Sequence, residues 1–198
     1  MYRIISGRWK AKRIAAPKNF DVRPTTDFAK EAMFSIIENK YDVEFCNVLD
    51  LFAGIGSISL EFASRDCKDV TSVEINPKHT GFINSTAKDL DMASQVNVQR
   101  ADVYDWLKKN RNRKQYDIIF ADAPFDVTDE AKYQELIAMI LNNKYLKPNG
   151  VFILEHNTRM KIEHPQITSS RKYGNITFSF IDPLPEEPTL ETETPTEA

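Results

Sequence analysis

Apolar runs and helix-patterned segments alternate through the middle of the chain. The runs rich in Val, Ile and Leu, which are typical of buried strands, lie at 48–51, 70–75, 96–100, 117–122 and 151–155. The segments between these runs carry apolar residues at helical spacing or residues typical of a helix start. They lie at about 57–65, at 103–109 and around 133–141, and one begins at Asn76-Pro77. This alternation predicts a mostly parallel, doubly wound α/β sheet.

The two ends of the chain follow other patterns. Residues 2–5 and 11–16 predict a small β-hairpin around Ser6-Gly7-Arg8-Trp9, and residues 27–38 predict a helix that begins at Thr26 or Asp27. Near the other end, two β-like runs at 167–173 and 176–180 meet at Gly174-Asn175. That spacing indicates an antiparallel hairpin at one edge of the sheet.

Charge is unevenly distributed along the 198 residues. Residues 182–198 hold six of the 29 acids, four prolines and no base, which leaves 23 acids against 26 bases elsewhere. Residues 1–20 hold six bases and no acid. We therefore expect three parts: a basic hairpin extension at 1–22, a catalytic α/β domain at 23–181, and a disordered acidic tail at 182–198.

Nothing in the sequence points to a membrane, a disulfide framework or a metal. No run approaches the ~20 apolar residues of a membrane span, and the N-terminus does not read as a secretory signal. Cys46 and Cys67 are too few for a disulfide framework and lack metal-ligand spacing. We expect a cytoplasmic protein, a monomer, without a metal site.

A glycine loop follows the first predicted strand. It runs from Asp50 through Gly54 and Gly56 into a helix, and Glu74 ends the second strand. Glycines let the backbone approach a ligand closely, and a carboxylate at the Glu74 position can accept both ribose hydroxyls. The third glycine of a dinucleotide-binding loop is replaced by Ser59, and Asp50 would repel a pyrophosphate. The loop therefore favours S-adenosylmethionine (SAM), which carries an ammonium group, over a nicotinamide dinucleotide.

Asp102 follows the third strand, in register with Asp50 and Glu74. Two interpretations remain open for it. Its carboxylate can accept the adenine amino group of a nucleoside, or it can cap the helix at 103–109.

The fourth strand ends in Asp122-Ala123-Pro124-Phe125. The Asp122 carboxylate and the Ala123 carbonyl are two acceptors that can hold the hydrogens of an exocyclic amine and direct its lone pair at a methyl donor. Phe125 can stack on the base, which is worth roughly 1–3 kcal/mol. The alternative is an ordinary strand-end turn, with Asp122 as a cap and Phe125 in the core.

Six segments of the chain resemble the RsmD-type methyltransferases, a family that methylates a guanine N2 of bacterial 16S ribosomal RNA. They are Arg3-Ile-Ile-Ser-Gly7, Arg23-Pro-Thr-Thr-Asp27, Lys30-Glu31-x-x-Phe34, Asp50-Leu-Phe-Ala-Gly-x-Gly56, Asp122-x-Pro-Phe125 and Arg171-x-Tyr-Gly174. The first two are more particular to the family than the glycine loop. Two positions depart from its pattern: Ala123 replaces a proline, and Lys30 replaces an arginine.

The resemblance implies a Rossmann-like class I fold, SAM as the donor and a 30S assembly intermediate as the substrate. The cofactor site then comprises Asp50, Phe52, Gly54, Gly56, Glu74, Ile75, Asp102 and Val103. The catalytic element is Asp122 with Pro124 and Phe125. The basic N-terminus is expected to contact RNA phosphates, through Arg3, Arg8, Lys10, Lys12, Arg13 and Arg23, although a merely solvated hairpin has the same composition.

Three other functions fit part of the pattern. The Asp-x-Pro-aromatic element also suits N6-adenine methylation of DNA or methylation of a protein glutamine. A catalytically silent RNA-binding assembly factor would tolerate Ala123. His79, His156 and His164 are not clustered, and we expect them to be ordinary surface or loop residues.

Overall fold

A computed structural model describes residues 1–17, 20, 25–126 and 129–185. Its main sheet has seven strands. They are β3 (Asn47–Leu51), β4 (Asp69–Glu74), β5 (Val96–Arg100), β6 (Tyr116–Asp122), β7 (Leu146–Asn157), β8 (Ile167–Tyr173) and β9 (Ile176–Ile181). The α-helices are α1 (Asp27–Glu38), α2 (Ser57–Ser64), α3 (Pro77–Asp89), α4 (Val103–Lys109) and α5 (Glu130–Asn142), and a short 3-10 helix covers Val43–Phe45.

The strand order β5-β4-β3-β6-β7-β9-β8 confirms the predicted fold class. The first five strands of this order are parallel to one another, and β9 and β8 form the antiparallel hairpin at one edge. The chain order reverses between β3 and β6, which lie side by side. Open α/β sheets bind ligands at the carboxyl end of such a switch point.

Local signals set the helix starts. Thr26 accepts a hydrogen bond from the Ala29 N–H through its side chain, and Asn76 caps α3 in the same way ahead of Pro77. The core then fills both faces of the sheet. Helices α1, α2 and α3 cover one face and α4 and α5 cover the other, so the central strands are buried on both sides.

A small N-terminal hairpin, as predicted, pairs β1 (Tyr2–Arg3) with β2 (Arg13–Ile14). Its strands are shorter than the sequence suggests, because the chain between them leaves the ladder to pack on α2. Tyr2, Ile4 and Ile14 are buried in the same cluster as α1 and α2. The hairpin is therefore built into one face of the α/β fold.

A buried cluster of charges connects the hairpin to α1 and α2. Glu61 accepts hydrogen bonds from the backbone N–H groups of Ile5 and Ser6, at 2.8 and 3.0 Å. It also pairs with Lys30 and Arg65, both at 3.1 Å. Lys30, which is fully buried, donates in addition to the Arg3 carbonyl at 2.7 Å. Burial lowers the pKa of Lys30, and Glu61 opposes that shift.

Gly7 sits where the hairpin loop touches the end of α2. A Cβ added there would lie 1.8 Å from the Ser64 carbonyl oxygen, and the residue has a φ of +78°. Only glycine fits this contact. The next residues fix it further, since the Arg8 N–H donates to the Ser64 carbonyl at 2.7 Å. Part of the family-specific Arg-Ile-Ile-Ser-Gly motif thus has a packing role.

Two expectations about the β7 region were wrong. The strand begins at Leu146 rather than at Val151. Pro148-Asn149-Gly150, whose sequence predicts a turn before the strand, instead forms an irregular stretch within it. His156 is not a surface residue, because it is 6% exposed on β7. Its Nε2 lies 2.9 Å from the Ser179 hydroxyl of the neighbouring β9. That contact comes from strand pairing and supplies the polar partner that a buried imidazole needs.

Parts of the predicted organisation fall outside the described residues. They include Arg23, the surroundings of the boundary at residue 22, and residues 186–198 of the acidic tail. Among the described residues, no helix has the length and apolar character needed to cross a bilayer.

Candidate active site

A cleft of about 220 Å³ opens at the carboxyl edge of β3 and β6, at the switch point. Its lining brings together five of the predicted residues with one from the N-terminal segment: Asp50, Phe52, Gly54, Asp122, Pro124 and Thr25. A larger hollow of about 540 Å³ lies between Glu38 and Asp66, at the opposite edge of the sheet. It lacks the glycine loop and the strand-end acids, so the chemistry points to the smaller cleft.

The glycine loop has the backbone conformation that close approach requires. Gly54 and Gly56 have φ values of +54° and +77°. A Cβ at Gly56 would lie 2.8 Å from a side-chain atom of Ile83, so the loop packs tightly on α3. Phe52 also has a positive φ, of 58°, which is costly for a residue with a side chain. Strain of this kind is common where a backbone is shaped for a ligand.

Glu74 holds the glycine loop. Its two carboxylate oxygens accept hydrogen bonds from the Gly54 N–H at 2.8 Å and the Asn76 N–H at 2.7 Å. Each oxygen keeps a further lone pair that a ribose hydroxyl can use. Ile75 beside it is 61% exposed, which leaves an apolar surface at the rim of the loop.

Asp50 lies beneath the loop and is 1% exposed. It accepts hydrogen bonds from both the N–H and the hydroxyl of Ser59, the residue that replaces the third glycine. Burial raises the pKa of Asp50 to about 7, although the bonds from Ser59 oppose the shift. Asp50 therefore fixes the start of α2 and also places an acid under the cleft.

Asp102 caps α4, which confirms the second of the two interpretations given for it. Its side chain accepts from the Asp105 N–H at 3.0 Å. The residue remains exposed, so a second acceptor position faces solvent, whereas Val103 is buried. The cap does not test the adenine contact, which stays a prediction.

The element after β6 forms a compact turn. The Phe125 N–H donates to the Ala123 carbonyl at 2.8 Å, which occupies one lone pair of that oxygen and leaves the other. The Ala123 methyl is buried. Phe125 is half-buried, with its ring centroid 5.8 Å from that of Phe52 and 5.0 Å from that of Tyr133. Its contact with Phe52 joins the turn to the glycine loop.

A second carboxyl group lies next to Asp122 and was missed from the sequence. Glu155 of β7 pairs in register with Asp122 of β6 and is 5% exposed. It accepts a hydrogen bond from the Thr25 hydroxyl at 2.8 Å. Glu155 ends the fifth predicted strand at the same edge as Asp122, and that position was the available signal.

The electrostatics of this edge favour a proton or a cation. Burial raises the pKa of Glu155, and the neighbouring Asp122 carboxylate raises it further. Asp122 is exposed at the end of β6, and desolvation of its carboxylate by the surrounding chain also raises its pKa. The two neighbouring carboxyl groups therefore bind protons more readily than isolated ones. Within the described parts of the chain, neither of them nor Asp50 forms an ion pair with a Lys or Arg.

The basic N-terminal residues divide into two groups. Arg3 pairs with Asp27 at 3.0 Å, and Arg8 pairs with Asp91 at 3.1 Å. Lys10, Lys12 and Arg13 are exposed, and none of them pairs with a described acid. A hollow of about 560 Å³ is lined by Arg3 and Arg13 and shares Thr25 with the cleft. The structure therefore joins part of the basic hairpin to the candidate site.

Comparison with known proteins gives one family. The model of the family described as Conserved hypothetical protein 95 matches residues 2–182. A "Ribosomal RNA small subunit methyltransferase D" of Buchnera aphidicola is 36% identical over 163 residues, which cover 82% of this chain and 80% of that protein.

Solved structures share the fold. The structure of yhhF from Escherichia coli has a TM-score of 0.78 at 20% identity and covers 93% of this chain and 99% of its own. An RNA methyltransferase from Salinibacter ruber, solved with S-adenosyl-L-homocysteine, has a TM-score of 0.62 at 13% identity, with 85% and 99% of the two chains covered. At these identities the likeness shows the fold alone.

Proposed function

Because the chain belongs to the Conserved hypothetical protein 95 family, the RsmD-type methyltransferases, we propose that it is an rRNA methyltransferase. In this proposal, it transfers a methyl group from SAM to the exocyclic N2 of a guanine in 16S rRNA during small-subunit assembly. The observation that carries the proposal is the position of Asp122. It lies at the switch point, in one cleft with the glycine loop.

The residues of the cleft fit SAM. The tight contact between Gly56 and Ile83 leaves no room for a side chain at position 56. Glu74 and Asp102 would hold the ribose and the adenine, with Ile75 and Val103 beside them. Asp50, Asp122 and Glu155 pair with no Lys or Arg of the described residues, which suits a ligand with an ammonium and a sulfonium. SAM supplies an electrophilic methyl group when bound.

The element from Asp122 to Phe125 would position the guanine. An exocyclic amine is a poor nucleophile because its lone pair is delocalised into the ring. The Asp122 carboxylate and the free lone pair of the Ala123 carbonyl would accept its two hydrogens and turn the lone pair toward the donor. Phe125 would stack on the base, and Pro124 would shape the turn between them. Positioning of this kind can supply much of a rate enhancement.

Methylation assays with labelled SAM test the proposal directly. The substrates are 30S particles, naked 16S rRNA and DNA, each followed by nucleoside analysis. We expect the label in N2-methylguanosine of 16S rRNA. Label in N6-methyladenosine of DNA, or only in protein, would replace the proposal with one of the other enzyme functions. No label in any substrate despite SAM binding would leave the silent assembly factor.

The basic hairpin would contact RNA phosphates, and salt dependence tests this part separately. Replacing Lys10, Lys12 and Arg13 with Ala removes three exposed cations. If each meets a phosphate of a single strand, the slope of log K against log salt falls by about 0.7 per contact. The matched control replaces Lys108, Lys109 and Arg111, which carry the same charges at the end of α4 on the opposite edge of the sheet. Equal slopes in both variants would remove the hairpin from the RNA interface.

A further inference from the structure

Phe28 is the most exposed aromatic residue near the candidate site. It lies in the first turn of α1 and is 72% exposed. Burying a side chain of this size is strongly favourable, so a phenylalanine held in solvent beside a functional cleft is an unusual feature. Asp27, the preceding residue, lines the hollow that shares Thr25 with the cleft.

A line of aromatic rings connects Phe28 to the floor of the cleft. The Phe28 ring meets Tyr173 edge-on, with centroids 5.9 Å apart. Tyr173 contacts the buried Phe178 at 5.7 Å, and Phe178 contacts Phe120 at 6.4 Å. Phe120 lines the cleft together with Asp50 and Asp122. Phe28 is thus braced by the core, and most of its side chain remains exposed to solvent.

Cations lie on the elements that border this ring. Arg3 and Arg13 line the adjoining hollow, where Arg3 pairs with Asp27. Arg171 is exposed on β8, two residues before Tyr173 and therefore on the same face of the strand. Arg171 and Tyr173 belong to the Arg-x-Tyr-Gly motif, to which no step of the proposed methyl transfer gives a role. An aromatic face flanked by arginines is the combination that binds unpaired nucleotides.

Phe45 is equally exposed but lies in different surroundings from Phe28. It is also 72% exposed, but it precedes β3 and so lies at the opposite edge of the sheet. Lys68 covers its ring at 5.6 Å and pairs with the adjacent Glu44 at 2.7 Å. Phe45 therefore matches Phe28 in exposure, but Lys68 covers its ring and it lies far from the cleft.

We propose that Phe28, braced by Tyr173, is a platform on which an unpaired base of the RNA substrate stacks, next to the nucleotide that enters the cleft. The platform rests on the proposed rRNA methyltransferase function and extends it to a neighbouring nucleotide. Arg171 and Arg13 hold the phosphates on either side of the stacked base. The platform keeps the flanking nucleotide in place, which positions the target base for Asp122 without any contact between Phe28 and the methyl donor.

The test compares Phe28→Ala with the matched Phe45→Ala. We expect Phe28→Ala to raise two constants, the Kd for single-stranded RNA and the KM for the unmethylated rRNA substrate. Each should rise by about 5- to 100-fold, the range for loss of one stacked base. Phe45→Ala leaves both constants unchanged, and both variants keep the SAM affinity of the wild type. Phe28→Trp restores binding, because a larger aromatic face stacks at least as well. RNA that carries 2-aminopurine reports stacking as a fluorescence quench, which only Phe28→Ala removes.

Each outcome distinguishes the platform from the function on which it rests. If the wild type labels rRNA but Phe28→Ala and Phe45→Ala behave alike, the platform is wrong and the methyltransferase function stands. If Phe28→Ala impairs methylation only of protein-bearing 30S particles and leaves naked RNA binding unchanged, the surface docks a protein and the platform is overturned. If the wild type labels no RNA, the platform falls with the function.

Discussion

Glu61, Asp50 and Glu155 are buried carboxyl groups in very different surroundings. Glu61 lies between Lys30 and Arg65 and accepts two backbone N–H groups of the N-terminal hairpin. Asp50 and Glu155 are buried as deeply, yet no described cation pairs with them. Their polar partners are the hydroxyl groups of Ser59 and Thr25, with the backbone of Ser59.

The difference separates a structural group from a binding group. A buried charge that is fully paired within the chain has no capacity left for a ligand, and it holds its neighbours in place. Burial raises the pKa of an acid that has no cation beside it, as it does for Asp50 and Glu155. Such acids favour any ligand that brings positive charge. In the proposed function that ligand is SAM.

The largest effect is expected from Glu61→Ala. It leaves the buried charge of Lys30 without its ion-pair partner, removes one of the two partners of Arg65, and frees the hairpin N–H groups of Ile5 and Ser6. The free energy of unfolding should fall by about 3–5 kcal/mol, as measured by urea denaturation. Glu38→Ala is the matched control, because it removes a half-exposed partner of the same Arg65 and should cost less than about 1 kcal/mol. Equal losses would mean that the burial of Glu61 is not what matters.

Next in size is Asp122→Asn. The amide presents donors where the amine of the substrate needs acceptors, so kcat should fall about 100-fold or more, the effect of a misplaced reacting group. The SAM affinity, measured by calorimetry, and the free energy of unfolding should stay at wild-type values. Parallel losses of SAM binding and of turnover would assign Asp122 to the cofactor instead.

Glu155→Gln separates stability from activity through pH. Burial raises the pKa of Glu155 above its ordinary value of 4.5, so the folded protein holds a proton that the unfolded chain releases. The contribution of Glu155 to stability is therefore complete below about pH 4.5 and is lost as the pH rises through the raised pKa. The amide can still accept from Thr25 and cannot ionise. Near pH 9 the variant should be more stable than the wild type by on the order of 1 kcal/mol, with little difference near pH 5.

Denaturation curves at the two pH values measure this difference. A constant offset between wild type and variant would show that Glu155 does not change its charge. At neutral pH the variant should keep its methyltransferase activity, because the neutral amide resembles the protonated acid.

The smallest effect is expected at the surface of the hairpin. Asp91→Ala breaks the ion pair with Arg8. The Asp91 side chain is 84% exposed and that of Arg8 is 53% exposed. Solvent screens such pairs, so the free energy of unfolding should change by less than about 1 kcal/mol in thermal or urea denaturation. A loss as large as that of Glu61→Ala would show that exposed and buried charges contribute alike to holding the hairpin.

The sequence predicted the parts of the site that repeat with the βα units. Asp50, Glu74 and Asp122 lie near the carboxyl ends of β3, β4 and β6, and parallel strands bring their carboxyl ends to one edge. The sheet, the glycine loop and the terminal hairpin followed from the same periodic pattern and from turn residues.

The contacts that sequence reasoning missed depend on tertiary packing between distant segments. Thr25 and Glu155 are separated by 130 residues, and no local pattern links them. The residues around His156 do not indicate its contact with the Ser179 hydroxyl, because Ser179 lies on another strand. Pro148-Asn149-Gly150 is a strong turn signal, but strand pairing on both sides of it carries β7 through the irregularity.

The contact of the hairpin with Glu61 sets an order of events during synthesis. Ile5 leaves the ribosome first, yet the carboxylate that accepts its N–H follows 56 residues later. Contacts so far apart in sequence close slowly, because the intervening chain must be ordered before they form. The hairpin residues therefore wait for a partner that is made later, and a ribosome that pauses between Ile5 and Glu61 should delay the assembly of this face of the protein.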